Sequence, residues 1–513
     1  MVDLKLNINP NKKTEIGTVI RLESDLGGFF GAGSAISLRQ LYIKGTVYDA
    51  VSYELGDIYL ELSPYTLYNT NGESDANEAK IFSQLREDFN EYDNFNIGNA
   101  WWSQGGHVNF GFEFDSLASK GIQFDLFTTR LISQSNSRFL AGGRAALFNK
   151  SNYSVKANLV QTFDARRINP LEESLRNTVG TIEWEYIINL GKGNLLFNGE
   201  TGFSTYNINE PFESDADLIV PEDRDGQFVN GGLDLVTKNK KIKVGAKFLR
   251  NGSQFFSAGA QTKRLDFTAA PDLFQNVAND PFNNRELNIY DLIANQNVYN
   301  PEISSTLQAY NPLYGNATPY GIATPNRQGI IISGSYADSA KIFDANVEAA
   351  LLEDVVGVGT EEKRSFTKIG LNVNLNLADI IGYKRQFKIY GGAVYEQTSR
   401  DGDLSAIDLT TTHIDGGLDF EIFKKLSLLG GIKLLTGNGN EFLNDFSDRN
   451  LFTFPTSFNV DETQTLTGVG LRYQFSDNTY LTIKNYGLNV SNNLSSDEDY
   501  SFNQWKLFFS LKL

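Results

Sequence analysis

Residues 505–513 read W-K-L-F-F-S-L-K-L. Trp505, Leu507, Phe509, Leu511 and Leu513 fall on one parity. Lys506, Ser510 and Lys512 fall on the other, with Phe508 the exception. Successive side chains of a strand point to opposite faces, so one face here is apolar to the final residue. A soluble sandwich strand can alternate in the same way, but an unbroken apolar face suits lipid better. The stretch reads as the closing strand of a transmembrane β-barrel, and the rest of the chain tests that reading.

Many other stretches alternate. Val108, Phe110, Phe112 and Phe114 oppose Asn109, Gly111, Glu113 and Asp115. Ile182, Trp184, Tyr186 and Ile188 oppose Glu183 and Glu185, and Ile242, Val244 and Phe248 oppose Lys241, Lys243 and Lys247. The clearest case sets Ile369, Leu371, Val373, Leu375 and Leu377 against Lys368, Gly370, Asn372, Asn374 and Asn376. One such strand means little; many in series, with no long helical period between them, are the cumulative signature of an outer-membrane barrel.

The connections are a second test, because such barrels alternate short periplasmic turns with longer extracellular loops. Short turns fall near 115–119, 149–151, 191–193, 238–240, 338–340, 380–384, 421–424 and 476–478. Between them lie loops at 63–104, 131–136, 165–176, 205–226, 250–328, 354–363, 400–408, 436–462 and 490–499. The fold class is therefore all-β: a single large antiparallel barrel of about 20 strands, within 18–22 and even. Residues 14–513 form it, and residues 1–13 are a periplasmic tail or a fragment of strand. Six of the 12 prolines sit in the single stretch 271–325, and none lies inside an expected strand, as a hydrogen-bonded ladder requires.

Composition excludes several classes. With 45 Lys+Arg against 62 Asp+Glu the net charge is −17, which argues against nucleic acid as a partner. Cysteine is absent, so neither a disulfide framework nor a thiolate metal site is possible. Hydrophobic content is 41% and mean hydropathy −0.30, values a barrel with a polar interior allows. No run of 18 apolar residues is present, so no transmembrane helix is expected. The opening Met1-Val2-Asp3-Leu4 has no signal-peptide pattern, and the sequence is read as a mature one with an added Met.

On these features the chain resembles bacterial outer-membrane β-barrel proteins. Its acidic, Asn-, Phe- and Tyr-rich composition and its Leu513 terminus look like those of the Bacteroidota. The resemblance implies residence in the outer membrane, lipid around the wall, and a terminal strand that resembles the signal read by the barrel-assembly machinery. Trp505, Leu507, Phe509, Leu511 and Leu513 would carry that signal. A surface lipoprotein or another barrel is a further possible partner.

Candidate functional residues fall into two groups. A loop of the length of 250–328 is usually functional or disordered. It holds Phe255, Phe256, Phe274, Tyr290, Tyr299, Tyr310, Tyr314 and Tyr320, which would form a constriction or cap over the lumen or pack as an ordered surface loop. Within it Glu286–Ala294 reads as a short helix. In the loop 63–104, Asn77–Phe89 places Ile81, Phe82, Leu85 and Phe89 at helical spacing. Trp101 and Trp102 fit an interfacial girdle better than a stacking site. The second group faces the lumen: Glu113, Asp125, Glu183, Glu185, Asp234, Asp415 and Asp419, opposed by Lys241, Lys243, Lys247, Lys368, Lys388 and Arg472. Such rings would give mild cation preference, or pair and merely solvate the interior.

Enzymatic chemistry has little support. His107 and His413 are the only histidines, and Q-G-G-H-V-N at 104–109 lacks the serine of the Asn-x-His-x-Ser arrangement of outer-membrane phospholipases. The acidic runs 223–226, 401–403 and 497–499 lack the spacing of a calcium loop. No cofactor is expected. The expected function is a porin-like channel passing small polar solutes, restricted by the 250–328 loop. The alternative is a non-conducting barrel subunit of an outer-membrane complex that binds partners through its loops.

Overall fold

The computed structural model describes residues 2–23, 35–68, 78–87, 92, 102–114, 120–131, 136–148, 152–167, 174–209, 223–261, 288–294, 303, 307, 310–338, 340, 342–403, 405–443, 456–476 and 478–511.

Twenty-one strands form one sheet. They are β1 (Val2–Asn11), β2 (Thr14–Glu23), β3 (Ala35–Val47), β4 (Val51–Tyr59), β5 (Trp102–Glu113), β6 (Gly121–Leu131) and β7 (Asn136–Phe148). Next come β8 (Tyr153–Arg167), β9 (Ser174–Asn189), β10 (Gly193–Asn209), β11 (Asp223–Thr237), β12 (Ile242–Asn251), β13 (Arg327–Ala337) and β14 (Phe343–Glu353). The last seven are β15 (Ser365–Asn376), β16 (Phe387–Arg400), β17 (Ile407–Phe423), β18 (Leu426–Leu443), β19 (Thr456–Ser476), β20 (Thr479–Asn492) and β21 (Tyr500–Leu511). Among the described residues three short α-helices lie between strands: α1 (Lys80–Leu85), α2 (Ile289–Ala294) and α3 (Leu377–Ile381). Each strand pairs antiparallel with its neighbours in sequence, as period-two segments joined by tight turns must.

The burial pattern is inverted relative to a water-soluble sheet. On the outer face Trp505 is 69% and Leu507 68% exposed, and Phe509, Leu511, Ile369, Leu371, Val244, Phe248 and Trp184 are exposed as well. On the inner face Asp419 and Lys484 are 0% exposed and Arg472 is buried. Apolar-out, polar-in is the arrangement of a wall set in lipid.

Two differences from the sequence reading share one cause. The stretch 1–13, read as a tail or a fragment of strand, contains β1, and among the described residues the strand count is 21 rather than an even number. β1 carries Pro10, which cannot donate to a ladder, and its register against β2 shifts between Ile8 and Asn11. Pro is tolerated there because β1 is an edge: among the described residues no ladder joins β1 to β21. The turn expected at 380–384 also begins earlier, with α3 starting directly after β15.

The sheet curves around its own insertions. The β4–β5 connection touches both ends of the sheet and its middle. Its Tyr92 hydroxyl donates to Asp3 of β1 (2.5 Å), Ser63 donates to Glu200 of β10 (2.5 Å), and the Ile81 carbonyl accepts from Lys484 of β20 (2.8 Å). Asp3 also accepts from Arg21 Nε (2.8 Å) and Arg39 Nη1 (2.9 Å). Removing one partner of such a shielded cluster leaves charge uncompensated. Asp3→Ala is expected to destabilise the attachment of β1 by on the order of 3 kcal/mol. Hydrogen exchange should then show β1 opening while β17–β20 stay protected.

Candidate functional site

The interior of the sheet is occupied, and α1 is its best-defined occupant. Gly417 of β17 faces Gly431 of β18, which faces Gly468 of β19, which faces Tyr486 of β20. All lie on the inner face. This row of missing side chains lets a helix approach the wall directly. A Cβ at Gly417 would sit 2.2 Å from the Ala79 Cβ, one at Gly431 2.7 Å from Ile81 and Phe82, and one at Gly468 3.0 Å from Phe82. Tyr486 ends the row and donates its hydroxyl to the Ile81 carbonyl (2.9 Å), the same oxygen that takes Lys484 Nζ.

Ion pairs hold the two flanks of α1. Glu78 meets Lys433 of β18 at 2.8 Å and Arg86 at 2.9 Å, and Lys433 also meets Asp415 of β17 at 3.2 Å. Lys80 lies 3.5 Å from Asp419, which also takes Arg472 Nη2 at 3.1 Å. Burial pushes the Glu78 carboxyl up, but the Lys433 and Arg86 cations outweigh it and hold it at about 2. Burial and the Arg472 charge lower Lys80. Ile81, Phe82 and Leu85 pack with Ile289, Tyr290 and Ile293 of α2, and with Leu429, Leu466 and Tyr486 of the wall.

The second occupant is the β12–β13 connection. Phe255 packs with Tyr65 and Phe228, and the Tyr65 and Phe228 rings stack at 3.9 Å. Asn177 of β9 donates to the Phe256 carbonyl (3.1 Å) and accepts from the Ala258 amide (3.1 Å). Ile289 N of α2 donates to Gln464 of β19 (2.7 Å), and Tyr290 bonds Gln504 of β21. Farther along, Asn316 and Ala317 amides donate to Glu396 (2.8 and 3.1 Å), and Asn316 Nδ2 reaches Glu441 (2.6 Å). The two connections also join each other, Tyr68 N donating to Gly259 O (2.9 Å). Together they reach inner-face residues from β9 to β21.

The sequence-selected aromatics take these places. Phe255, Phe256, Tyr290, Tyr310 and Tyr320 are buried and Tyr314 is half-buried, while Phe274 and Tyr299 lie outside the described residues. Trp101, Lys512 and Leu513 lie outside them too. Of the helix read over 77–89, α1 covers Lys80–Leu85, and residues 77, 88 and 89 lie outside the described residues; of that read over 286–294, α2 covers Ile289–Ala294, and residues 286–287 lie outside them.

The inward charges divide by depth. Lys368, Asp415, Asp419 and Arg472 are buried; Asp125, Glu183, Asp234, Lys241 and Lys247 are half-buried; Glu113, Glu185, Lys243 and Lys388 are exposed. Many pair along the wall. His107 lies 3.5 Å from Asp125, Lys156 3.3 Å from Glu183, Lys243 3.2 Å from Asp234, and Lys368 3.9 Å from Glu396. A polar niche of about 300 Å³ remains near the short turns, lined by Lys243, Ser333, Ser335, Asn346, Glu348 and Asn372. His413 stands 3.3 Å from Asp415, beside the Lys433 pair.

Sequence reading missed Glu78, Lys433, Lys484, Tyr486 and the glycine row. The usable signal was glycine inside strongly alternating strands, which marks close approach of another backbone.

No family model and no curated protein matches the chain. Among solved structures it is similar to Wzi of Escherichia coli, described as an outer membrane protein involved in group 1 capsule assembly and a carbohydrate-binding β-barrel. That match has 10% identity and a TM-score of 0.35, covering 78% of this chain and 75% of that one. The outer membrane channel DcaP of Acinetobacter baumannii matches with 6% identity and a TM-score of 0.31, covering 78% and 99%. The copper transporter OprC matches with 9% identity and a TM-score of 0.42, covering 99% and 71%. Likeness at this level says nothing of what this chain carries or binds.

Two outcomes test the α1 seat. Gly431→Val places methyl groups where Ile81 and Phe82 sit. It is expected to cost about 1–3 kcal/mol and to raise hydrogen exchange over residues 78–87 ahead of the strands. The Glu78 carboxyl titrates at about 2 when docked, below its ordinary 4.5. Its contribution is therefore full above pH 4.5 and lost as pH falls through about 2. Docking followed by exchange or fluorescence should weaken across that window, and Glu78→Gln should remove the transition while loosening α1 at neutral pH.

Proposed function

We propose that the chain is an outer-membrane β-barrel channel held shut by its own β4–β5 and β12–β13 connections. The observation that carries this is the inverted wall: exposed Trp505, Leu507, Ile369 and Val244 outside, buried Asp419, Lys433, Arg472 and Lys484 inside. In lipid every backbone polar group must be satisfied within the protein, which favours closed strand arrays with outward apolar rows. The solute is small and polar, because the unfilled inner wall offers Ser, Asn, Lys and Glu. Paired inward charges give the pore weak ion selectivity. The 250–328 segment acts as restriction together with α1, which the charge network fixes beside β17–β20.

Trp505–Leu513 serves in this reading as the strand the barrel-assembly machinery recognises. The Bacteroidota affinity rests on composition alone. A second reading, a non-conducting subunit of an outer-membrane complex, is favoured by the filling itself: anchors from β9 to β21 suit a permanently sealed barrel that binds partners through its loops.

Planar-bilayer recording separates the two. The channel reading expects rare openings from the native protein and at least about a tenfold rise in open probability for Gly431→Val, the conductance equivalent of about 1.4 kcal/mol of lost docking. A Gly431→Val barrel that inserts, exchanges freely over residues 78–87 and still passes no current would sink it in favour of the sealed subunit.

A further inference from the structure

The charges of this chain are sorted by end. The ten connections at the turn end are 12–13, 48–50, 114–120, 149–152, 190–192, 238–241, 338–342, 377–386, 424–425 and 477–478. They carry thirteen Lys and Arg against five Asp. The ten connections at the loop end carry eight Lys and Arg against thirty-two Asp and Glu. In a chain of net charge −17, the turn-end connections are thus net positive in sequence.

That rim is densest where α3 and the β17–β18 turn meet. Lys384, Arg385, Lys424 and Lys425 are all exposed. Beside them stand exposed apolar side chains: Ile380 at 56%, Ile381 at 62% and Phe423 at 63%. The two turns are tied into one surface. The Tyr383 hydroxyl donates to the Glu421 carbonyl (2.9 Å), Arg385 Nη1 donates to the Ile422 carbonyl (2.6 Å), and the Tyr383 and Phe420 rings lie 5.6 Å apart. Elsewhere on the same rim Tyr48 is 92% and Leu190 53% exposed at turn tips. Large apolar side chains at the rim of a soluble wall would face water for no gain. Flanked by cations, they match the boundary between acyl chains and phosphates.

We propose that this rim, centred on α3 and the β17–β18 turn, is a docking surface for the headgroups of anionic glycerophospholipids in the leaflet it faces. The proposal rests on the membrane reading above and adds the lipid class and the end that binds it. Ile380, Ile381 and Phe423 enter the acyl boundary, and Lys384, Arg385, Lys424 and Lys425 meet phosphates.

The test uses the full chain in nanodiscs of phosphatidylcholine, with or without phosphatidylglycerol, followed by native mass spectrometry of retained lipid. The native protein is expected to retain phosphatidylglycerol over phosphatidylcholine by about tenfold. The quadruple variant Lys384→Gln, Arg385→Gln, Lys424→Gln, Lys425→Gln should bring that ratio to within about twofold while keeping its strand circular dichroism. Asp401→Asn with Asp403→Asn at the loop end should leave it unchanged. Equal retention of the two lipids by the native protein, or full preference in the quadruple variant, would overturn the proposal. So would displacement of phosphatidylglycerol by free glycerophosphate, or by polyglutamate, at equal concentration, the latter assigning the rim to an acidic protein. A chain that enters neither nanodisc fails the membrane reading itself; one that enters both without preference fails this proposal alone.

Discussion

Period two leaves the wall no tolerance for slip. On β17 Ile414 is exposed and Asp415 buried; on β18 the pair is Ile432 and Lys433; on β19 Leu471 and Arg472; on β20 Ile483 and Lys484. Moving any of these strands by one residue would exchange the two faces. It would turn a charge into lipid, at about 2–4 kcal/mol for a Lys or Arg at the bilayer midplane. It would also strip α1 of its ion-pair partners. The same register aligns Gly417, Gly431 and Gly468 into one row, so the seat of the plug is a consequence of how the wall is paired.

Register also constrains the two ends of the sheet. With 21 strands in strict antiparallel succession, β1 and β21 run in the same direction. Their outer rows, Val2, Leu4, Leu6 and Ile8 on one and Trp505, Leu507, Phe509 and Leu511 on the other, are exposed and apolar, so both edges belong to the same belt. Free backbone groups within such a belt have no water to meet them. In the barrel proposed above, closure would need a parallel β1–β21 pair or an intervening strand antiparallel to both. The shared β4–β5 connection, bonded to Asp3 at one end and Lys484 at the other, already brings the edges around one interior.

The wall was legible because alternation is local. Each strand states its two faces within about ten residues, and alternation of short and long connections carries the topology without any tertiary information. β1 alternates as cleanly as the rest, Val2, Leu4, Leu6 and Ile8 against Asp3, Lys5 and Asn7, but its short run before Pro10 left it between a tail and a fragment of strand. The inserted connections were only half legible. Helical spacing marked Ile81, Phe82 and Leu85, and aromatics marked Phe255, Tyr290 and Tyr310. Nothing local says that Glu78 meets Lys433 or that Lys484 reaches Ile81, since those contacts join residues more than three hundred positions apart. Parity assigns each of these charges to a strand face, but its pairing along the wall depends on neighbours that only the register supplies.

A polar inner wall changes what docking means. An insertion packed against a soluble core is held chiefly by apolar burial, which is lost all at once. Here α1 combines an apolar side toward α2 with charged flanks toward β17 and β18. Buried ion pairs add little net stability over apolar contacts of the same shape, because desolvation offsets most of the attraction. Breaking one partner, however, leaves the other stranded and is strongly unfavourable unless water enters. Glu78–Lys433–Asp415 and Lys80–Asp419–Arg472 therefore fix where α1 sits more than how tightly it is held. If water follows α1 out of its seat, Lys433, Asp415, Asp419 and Arg472 are solvated in place.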